Sequence, residues 1–116
     1  MLLHNKLAVY QKAFALNKHI YQLIKKSTAI PMYAKNQLGR SSLSIMLNIA
    51  EGNAKVNKKD RRNFFIIGRA SAHETAALID FLTSENEIPQ DQSSTFLKEI
   101  NDVSKMLYSM IKNLEQ

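Results

Sequence analysis

Apolar residues recur at helical spacing along almost the whole chain. Val9, Ala13, Leu16, Ile20 and Leu23 follow one another at steps of 4, 3, 4 and 3, which keeps them on one face of a helix. A first helix is expected over about residues 5–27, and Ile30-Pro31 ends that stretch. A second is expected over about 33–52, with Leu38, Ser42, Ile45 and Ile49 as its seam and Gly52 as its C-terminal stop. A third is expected over about 57–84, with Asn57 as N-cap and Asp60 in the first turn. Asn86 to Asp91, containing Pro89, reads as a turn. A fourth helix over about 91–115 carries Phe96, Ile100, Val103, Leu107, Met110 and Leu114. No internal repeat and no sustained β-type alternation occurs. Connections of about 5–8 residues between long helices favour antiparallel neighbours. The expected fold is all-α: one antiparallel up-down-up-down four-helix bundle domain over residues 1–116.

Two helices carry more apolar surface than one bundle can cover. Leu7, Tyr10, Phe14, Tyr21 and Ile24, with Asn17 completing the row, form a second seam on the first helix. Most of that row lies roughly 100–160° around the helix from the first seam. On the second helix Leu38, Leu43, Ile45, Met46, Leu47, Ile49 and Ala50 leave only a narrow polar strip of Arg40, Ser44 and Glu51. A helix apolar nearly all round calls for burial on nearly all sides, whereas every helix of a four-helix monomer has an outer face. The reading is self-association through the first two helices, with Leu7, Tyr10, Phe14, Tyr21, Leu43, Met46 and Leu47 at the interface. Scattered surface hydrophobes are the bland alternative.

On the third helix Phe64, Ile67, Ser71, Glu74, Leu78 and Phe81 read as one inward stripe, with Glu74 in its middle. A buried carboxylate needs a partner, since an unpaired buried charge costs several kcal/mol. Asn48 is the nearer candidate partner. Arg40 points away from its helix's seam and reaches Glu74 only across a protomer boundary. Gly68, Ala70, Ser71, Ala72, Ala76 and Ala77 surround Glu74 with small side chains that let a neighbouring helix approach. A structural polar contact that sets helix register outweighs a catalytic reading here. The chain has no Glu-x-x-His and no HExxH, and its histidines are His4, His19 and His73. His73 points about 100° away from Glu74 on a helix, and Ser71 and His73 diverge. No metal, no cofactor and no enzymatic activity are expected, and no glycine-rich phosphate loop occurs.

Charge alters the picture most. Residues 1–69 hold thirteen Lys and Arg against two acids, while residues 70–116 hold three Lys against eight acids. An excess of eleven positive charges in one stretch of chain builds a field that attracts phosphate. The densest cluster is Lys55, Lys58, Lys59, Arg61 and Arg62, and Arg69 continues on nearly the same face as Arg62. Lys6, Lys12 and Lys112 are expected at the same end of the bundle, with Lys25, Lys26 and Lys35 at the other; Lys18 and Lys25 share the outer face of the first helix. The expected nucleic-acid-binding set is Lys55, Lys58, Lys59, Arg61, Arg62, Arg69, Lys18 and Lys25. No helix-turn-helix, zinc finger, RRM or KH signature accompanies them, so binding to RNA or DNA is expected to be non-specific. Self-association repeats the patch, and repeated weak sites raise avidity.

At 45% apolar and 22% charged residues the chain has the composition of a folded domain. It has no cysteine, which removes disulfides and thiolate chemistry and fits a reducing cytoplasm. The N-terminus lacks the apolar run of a signal peptide. Phe64-Phe65-Ile66-Ile67, the longest strongly apolar run, is far too short to cross a bilayer. A soluble cytoplasmic protein without a membrane partner is expected.

The stretch Gln37-Leu38-Gly39-Arg40-Ser41-Ser42-Leu43-Ser44-Ile45, followed by Asn48-Ile49-Ala50-Glu51-Gly52, resembles the central motif of the 23S ribosomal RNA intervening-sequence protein family. Arg69-Ala70-Ser71-Ala72-His73-Glu74-Thr75 is similar to that family's second motif, with Ala70 where Gly is frequent. Leu7-Ala8-Val9-Tyr10-Gln11-Lys12-Ala13 matches its usual opening, with Tyr10 where Trp is commoner. The likeness runs nearly end to end. It implies a bacterial four-helix bundle assembling into a homopentameric ring. It also implies kinship with the accessory variability determinant of diversity-generating retroelements, a basic pentamer that binds nucleic acid and a reverse transcriptase. Within this resemblance Arg40, Asn48, Glu51 and Glu74 form a structural polar layer that maintains fold and assembly. The expected function is that of a non-enzymatic oligomeric accessory protein binding nucleic acid. The alternative is a scaffold that recruits a protein partner such as a reverse transcriptase, with the charge serving to steer association.

Overall fold

The computed structural model describes residues 7–115. Four helices follow one another, α1 (Ala8–Lys26), α2 (Met32–Ala54), α3 (Lys58–Ser84) and α4 (Gln90–Asn113). No strand occurs among the described residues. The expected helix start at residue 5, together with His4 and Lys6, lies outside them. Each helix packs against two others, α2 on α1 and α3, and α4 on α3 and α1. The result is an elongated bundle measuring 45 × 27 × 22 Å.

Local chemistry sets the helix ends. Ser27 is extended, and its hydroxyl accepts from the Ala29 and Ile30 amides at 3.2 and 3.1 Å. Lys35 donates to the Ser27 carbonyl at 2.7 Å, tying the end of α1 to the first turns of α2. The Asn57 carboxamide oxygen accepts from the Lys59 and Asp60 amides and caps α3. At the other end of α3, Asn86 takes a left-handed conformation with φ 62°. The Glu87 amide donates to the Leu82 carbonyl and the Asn86 amide to that of Thr83, the paired bonds of a Schellman motif with Asn in the place usually held by Gly.

The seams of α1, α2 and α4 enter one core, in which Leu16, Leu38, Ile45, Ile49, Val103 and Leu107 are fully buried. Leu23, Met110 and Leu114 pack against it from its edge. Gly52 corrects the expected helix stop. α2 continues past it to Ala54, and Gly52 is buried in the helix with no positive φ. Its role is close approach: a Cβ there would stand 2.7 Å from Cε1 of Phe65 and 3.0 Å from Cβ of Phe64. The end of α2 is satisfied instead by Arg61, whose Nη1 donates to the carbonyls of Asn53 and Lys55, each at 3.2 Å.

The stripe expected on α3 is also corrected. The buried row is Phe65, Gly68, Ala72, Thr75, Ile79 and Leu82, with Ser71 beside it. Apart from Ser71, the stripe read from the sequence lies one residue earlier at each step, a rotation of about 100°. Ile67 and Phe81 are 49% and 61% exposed. Small residues account for the displacement: Gly68 and Ala72 draw α2 and α4 close, whereas the larger Phe64, Ile67, Leu78 and Phe81 make a greasier row that stays partly outside.

Candidate nucleic-acid interface

Glu74 is exposed, accepting a hydrogen bond from Gln37 at 2.7 Å across the α2–α3 seam. Arg40 and Glu51 are exposed too, and Asn48 is half-buried, donating to the Ser44 carbonyl at 2.8 Å within its own helix. Within one chain the four residues expected to form a polar layer therefore do not meet. The buried layer is made of hydroxyls. Ser44 and Ser71 meet at 2.7 Å between α2 and α3. One turn away the Thr75 hydroxyl lies 2.8 Å from the Ser71 carbonyl and 2.9 Å from the Ser41 hydroxyl, its single proton serving one acceptor at a time. On the α1 side Asn17 donates to the carbonyls of Ser42 at 2.8 Å and Ala13 at 3.0 Å. Short hydroxyls satisfy each other while keeping helix axes close, which a carboxylate paired with an arginine does not allow. The signal lay in the density of small polar residues in Ser41-Ser42-Leu43-Ser44 and in Ser71 and Thr75, and the reading centred on Glu74 passed over it.

The basic cluster sits where α2 passes into α3, and its members differ in what they do. Lys55, Lys58 and Lys59 are exposed and make no ion pair among the described residues; Lys55 Nζ lies 5.3 Å from the centroid of the Phe64 ring. The three arginines are half-buried and engaged. Arg61 closes α2 as described and lies 6.0 Å from the Phe65 centroid. Arg62 Nη2 pairs with Glu115 at 2.8 Å, clamping the start of α3 to the end of α4. Lys112 reaches the same carboxylate at 3.2 Å. Both bonds favour the charged carboxylate, and the Glu115 pKa lies below its ordinary value, chiefly through Arg62 and then Lys112. The Arg69 guanidinium stacks 5.2 Å from the centroid of Tyr108 on α4. The Nε atoms of Arg62 and Arg69 are buried and have no hydrogen-bond partner among the described residues.

Lys18 and Lys25 do not join the cluster. Lys25 Nζ lies 4.7 Å from the Tyr21 ring centroid. Lys18 shares a groove between α1 and α2 with Lys35 and Arg40, and those α2 positions lie roughly 20–30 Å along the helix from Lys55 at about 1.5 Å per residue. Two further lysines, Lys98 and Lys105, escaped the sequence reading and align with Lys112, which it had placed at the basic end. Lys98, Lys105 and Lys112 follow at intervals of seven on the exposed side of α4, a spacing that returns to nearly the same face. The acidic balance of residues 70–116 hid Lys98 and Lys105, whereas Glu99 and Asp102 turn aside to meet His19 at 2.8 Å and Lys12 at 4.0 Å.

The residues expected at a self-association surface separate into two groups. Leu7, Tyr10 and Met46 are half-buried and pack on the bundle's own core. Phe14, Tyr21, Leu43 and Leu47 are 46%, 60%, 48% and 57% exposed. Tyr10 and Phe14 hold their ring centroids 6.1 Å apart. No group of three or more His, Cys, Asp or Glu placed to hold a metal ion occurs among the described residues, and no helix among them is long and apolar enough to cross a membrane.

A family model described as "23S rRNA-intervening sequence protein" matches residues 5–109. No curated protein matches significantly. Among solved structures, the chain is similar to a protein of unknown function from the S23 ribosomal protein family of Bacteroides thetaiotaomicron VPI-5482. The identity is 25%, with 90% of this chain and 99% of that one covered at a TM-score of 0.86.

Proposed function

This chain belongs to the 23S rRNA-intervening sequence protein family, and from that premise we propose that it is a non-enzymatic, oligomeric accessory protein that binds RNA or DNA without sequence preference. The observation that carries the proposal is the exposure of Lys55, Lys58 and Lys59 at one end of the bundle without an ion pair among the described residues. Cations already held by carboxylates have little left for phosphate, and these three are not so held. Lys98, Lys105 and Lys112 add a second basic line, although Lys112 is shared with Glu115. In the finer arrangement we propose, the helices run antiparallel, up-down-up-down, and several copies associate in the cytoplasm. The direction is supported by pairs such as 37 with 74, 44 with 71 and 52 with 65, in which numbers rise along α2 and fall along α3. Association is supported by the exposed Phe14, Tyr21, Leu43 and Leu47, and the family resemblance implies five copies.

A single protomer that touches a few phosphates binds nucleic acid at about 10⁻⁴ to 10⁻⁶ M at physiological salt. Assembly multiplies those sites. The test is fluorescence anisotropy of labelled single-stranded RNA and duplex DNA over a salt series. Log affinity should fall linearly with log salt. Lys55→Ala, Lys58→Ala and Lys59→Ala together should weaken binding and flatten the slope by roughly one unit for each phosphate that a removed lysine had neutralised. Absence of binding at low salt, or binding untouched by the triple variant, contradicts the proposal. A second reading, a scaffold for a protein partner such as a reverse transcriptase, draws on the engagement of Arg61, Arg62 and Arg69 within the bundle. It predicts a pull-down that survives both nuclease and the lysine substitutions.

A further inference from the structure

The carboxylates in the middle of α3 and α4 turn away from the seam between these two helices. Glu74 on α3 accepts from Gln37 on α2 at 2.7 Å. On α4, Glu99 meets His19 at 2.8 Å and Asp102 meets Lys12 at 4.0 Å, both on α1. What the outer α3–α4 seam keeps is basic. Lys98, Asn101, Lys105, Tyr108 and Lys112 follow on α4 at steps of 3, 4, 3 and 4 and are all exposed, a spacing that holds them on one face. Three contacts set α3 beside this row: Arg62 with Glu115 at 2.8 Å, the Arg69 guanidinium 5.2 Å from the Tyr108 ring centroid, and His73 3.5 Å from the Ser104 hydroxyl. Lys98 and Lys105 make no ion pair among the described residues. Glu115 stands at one end of the seam, shared by Arg62 and Lys112. Asp80, on nearly the same face of α3 as Arg69, stands toward the other. From Lys98 to Lys112 the row covers about 21 Å of helix, and its Lys112 end adjoins Arg62 and hence the turn that carries Lys55, Lys58 and Lys59.

We propose that this seam is the track of a single nucleic-acid strand, which continues from the α2–α3 turn and lays an unpaired base on Tyr108. The inference rests on the nucleic-acid reading above and specifies strandedness and path. A row of cations by itself attracts any phosphate backbone, duplex or single. Tyr108 breaks that symmetry. It is 50% exposed in the middle of the cationic row, and the Arg69 guanidinium beside it holds the ring in place. The bases of a duplex are stacked on one another, and their flat faces do not reach a ring on a helix surface. The bases of a single strand are free to stack there. A cationic path with an aromatic ring along it holds single strands without reading their sequence. The lysines of the α2–α3 turn differ in this respect. The ring beside them, Phe64, is half-buried with Lys55 over it, so that turn takes a duplex as well as a strand.

Anisotropy with a labelled DNA strand of mixed sequence, and with the duplex made from it, tests this at a fixed salt concentration. The strand should bind the wild-type chain more tightly than its duplex. Tyr108→Ala should weaken binding of the strand about tenfold and leave the duplex unchanged. Tyr108→Phe, which keeps the ring, should bind the strand like wild type. Lys98→Ala with Lys105→Ala should flatten the salt dependence measured with the strand. In the wild-type chain, crosslinking to a strand that carries photoreactive thiothymidine should mark the α4 peptide containing Tyr108, a readout that no variant's folding can disturb. The proposal is overturned if strand and duplex bind the wild-type chain alike, if Tyr108→Ala weakens both equally or neither, or if crosslinks fall only on the α2–α3 turn. Absence of binding by either probe at low salt overturns the nucleic-acid reading itself. Binding lost in the Lys55, Lys58 and Lys59 triple variant but untouched by Tyr108→Ala leaves that reading standing and removes the seam from it.

Discussion

Along α2, Leu38, Ile45 and Ile49 point into the bundle and are fully buried, while Leu43 and Leu47 on the far side of the same helix are 48% and 57% exposed. The two sides are made of the same residue types, but their surroundings differ. The inner side meets Phe65, Gly68 and the hydroxyls of Ser71 and Thr75 on α3, and its polar groups are paired. The outer side offers equivalent apolar area to solvent. Apolar content thus reports how much surface a helix must cover; only packing against α1, α3 and α4 shows which part this chain covers itself. The remainder is what the proposed association of copies covers.

The comparison breaks most severely on the inner side. Phe65 is 1% exposed and lies against Gly52, and Phe65→Ala should cost about 3–5 kcal/mol in denaturant unfolding. Gly52→Ala should cost about 1–3 kcal/mol by overpacking, since the new methyl group displaces the Phe65 ring or separates the helices. A Gly52→Ala chain as stable as wild type would mean that close approach is not the function of this glycine.

These two positions also show where sequence reading succeeded and where it failed. The seams of α1, α2 and α4 were legible because their inward residues keep an unbroken spacing of three and four, even though Phe14, Tyr21, Leu43 and Leu47 lie outside it. On α3 the inward row includes Gly68, Ala72 and Thr75, so the larger Phe64, Ile67 and Phe81 gave the stronger signal from the wrong face. Gly52 read as a helix stop because glycine most often acts there through its own backbone, whereas here the constraint comes from Phe65. Lysines 55, 58 and 59 were legible as a cluster. The separate tasks of Arg61, Arg62 and Arg69 were not, since each depends on a residue brought near only by folding.

Smaller effects sharpen the contrast. Thr75→Val should cost about 1 kcal/mol, the net worth of one buried hydroxyl bond, and leave the mass of the assembly unchanged. On the outer side, Leu43→Asp with Leu47→Asp should leave the unfolding free energy of an isolated protomer within about 0.5 kcal/mol of wild type. The same pair should abolish any dependence of Tm on protein concentration, because mass action stabilises a folded chain only while it associates. A concentration-dependent Tm in that variant contradicts the proposed interface.

The smallest effect lies at the α3–α4 clamp. The Glu115 pKa is depressed by Arg62 and Lys112, so its contribution to stability is present above the unfolded pKa and is lost as pH falls through the lowered folded value. Carboxyl NMR titration should place Glu115 below the ordinary range, and Arg62→Ala should move it upward; no movement would exclude Arg62 as the main cause.

The central claim is that another copy of this chain covers the outer side of α2, and molar mass by sedimentation equilibrium at micromolar concentration and ordinary ionic strength tests it most directly. The account predicts a whole-number multiple of the chain mass that falls when Leu43 and Leu47 become Asp. A wild-type mass equal to one chain contradicts it.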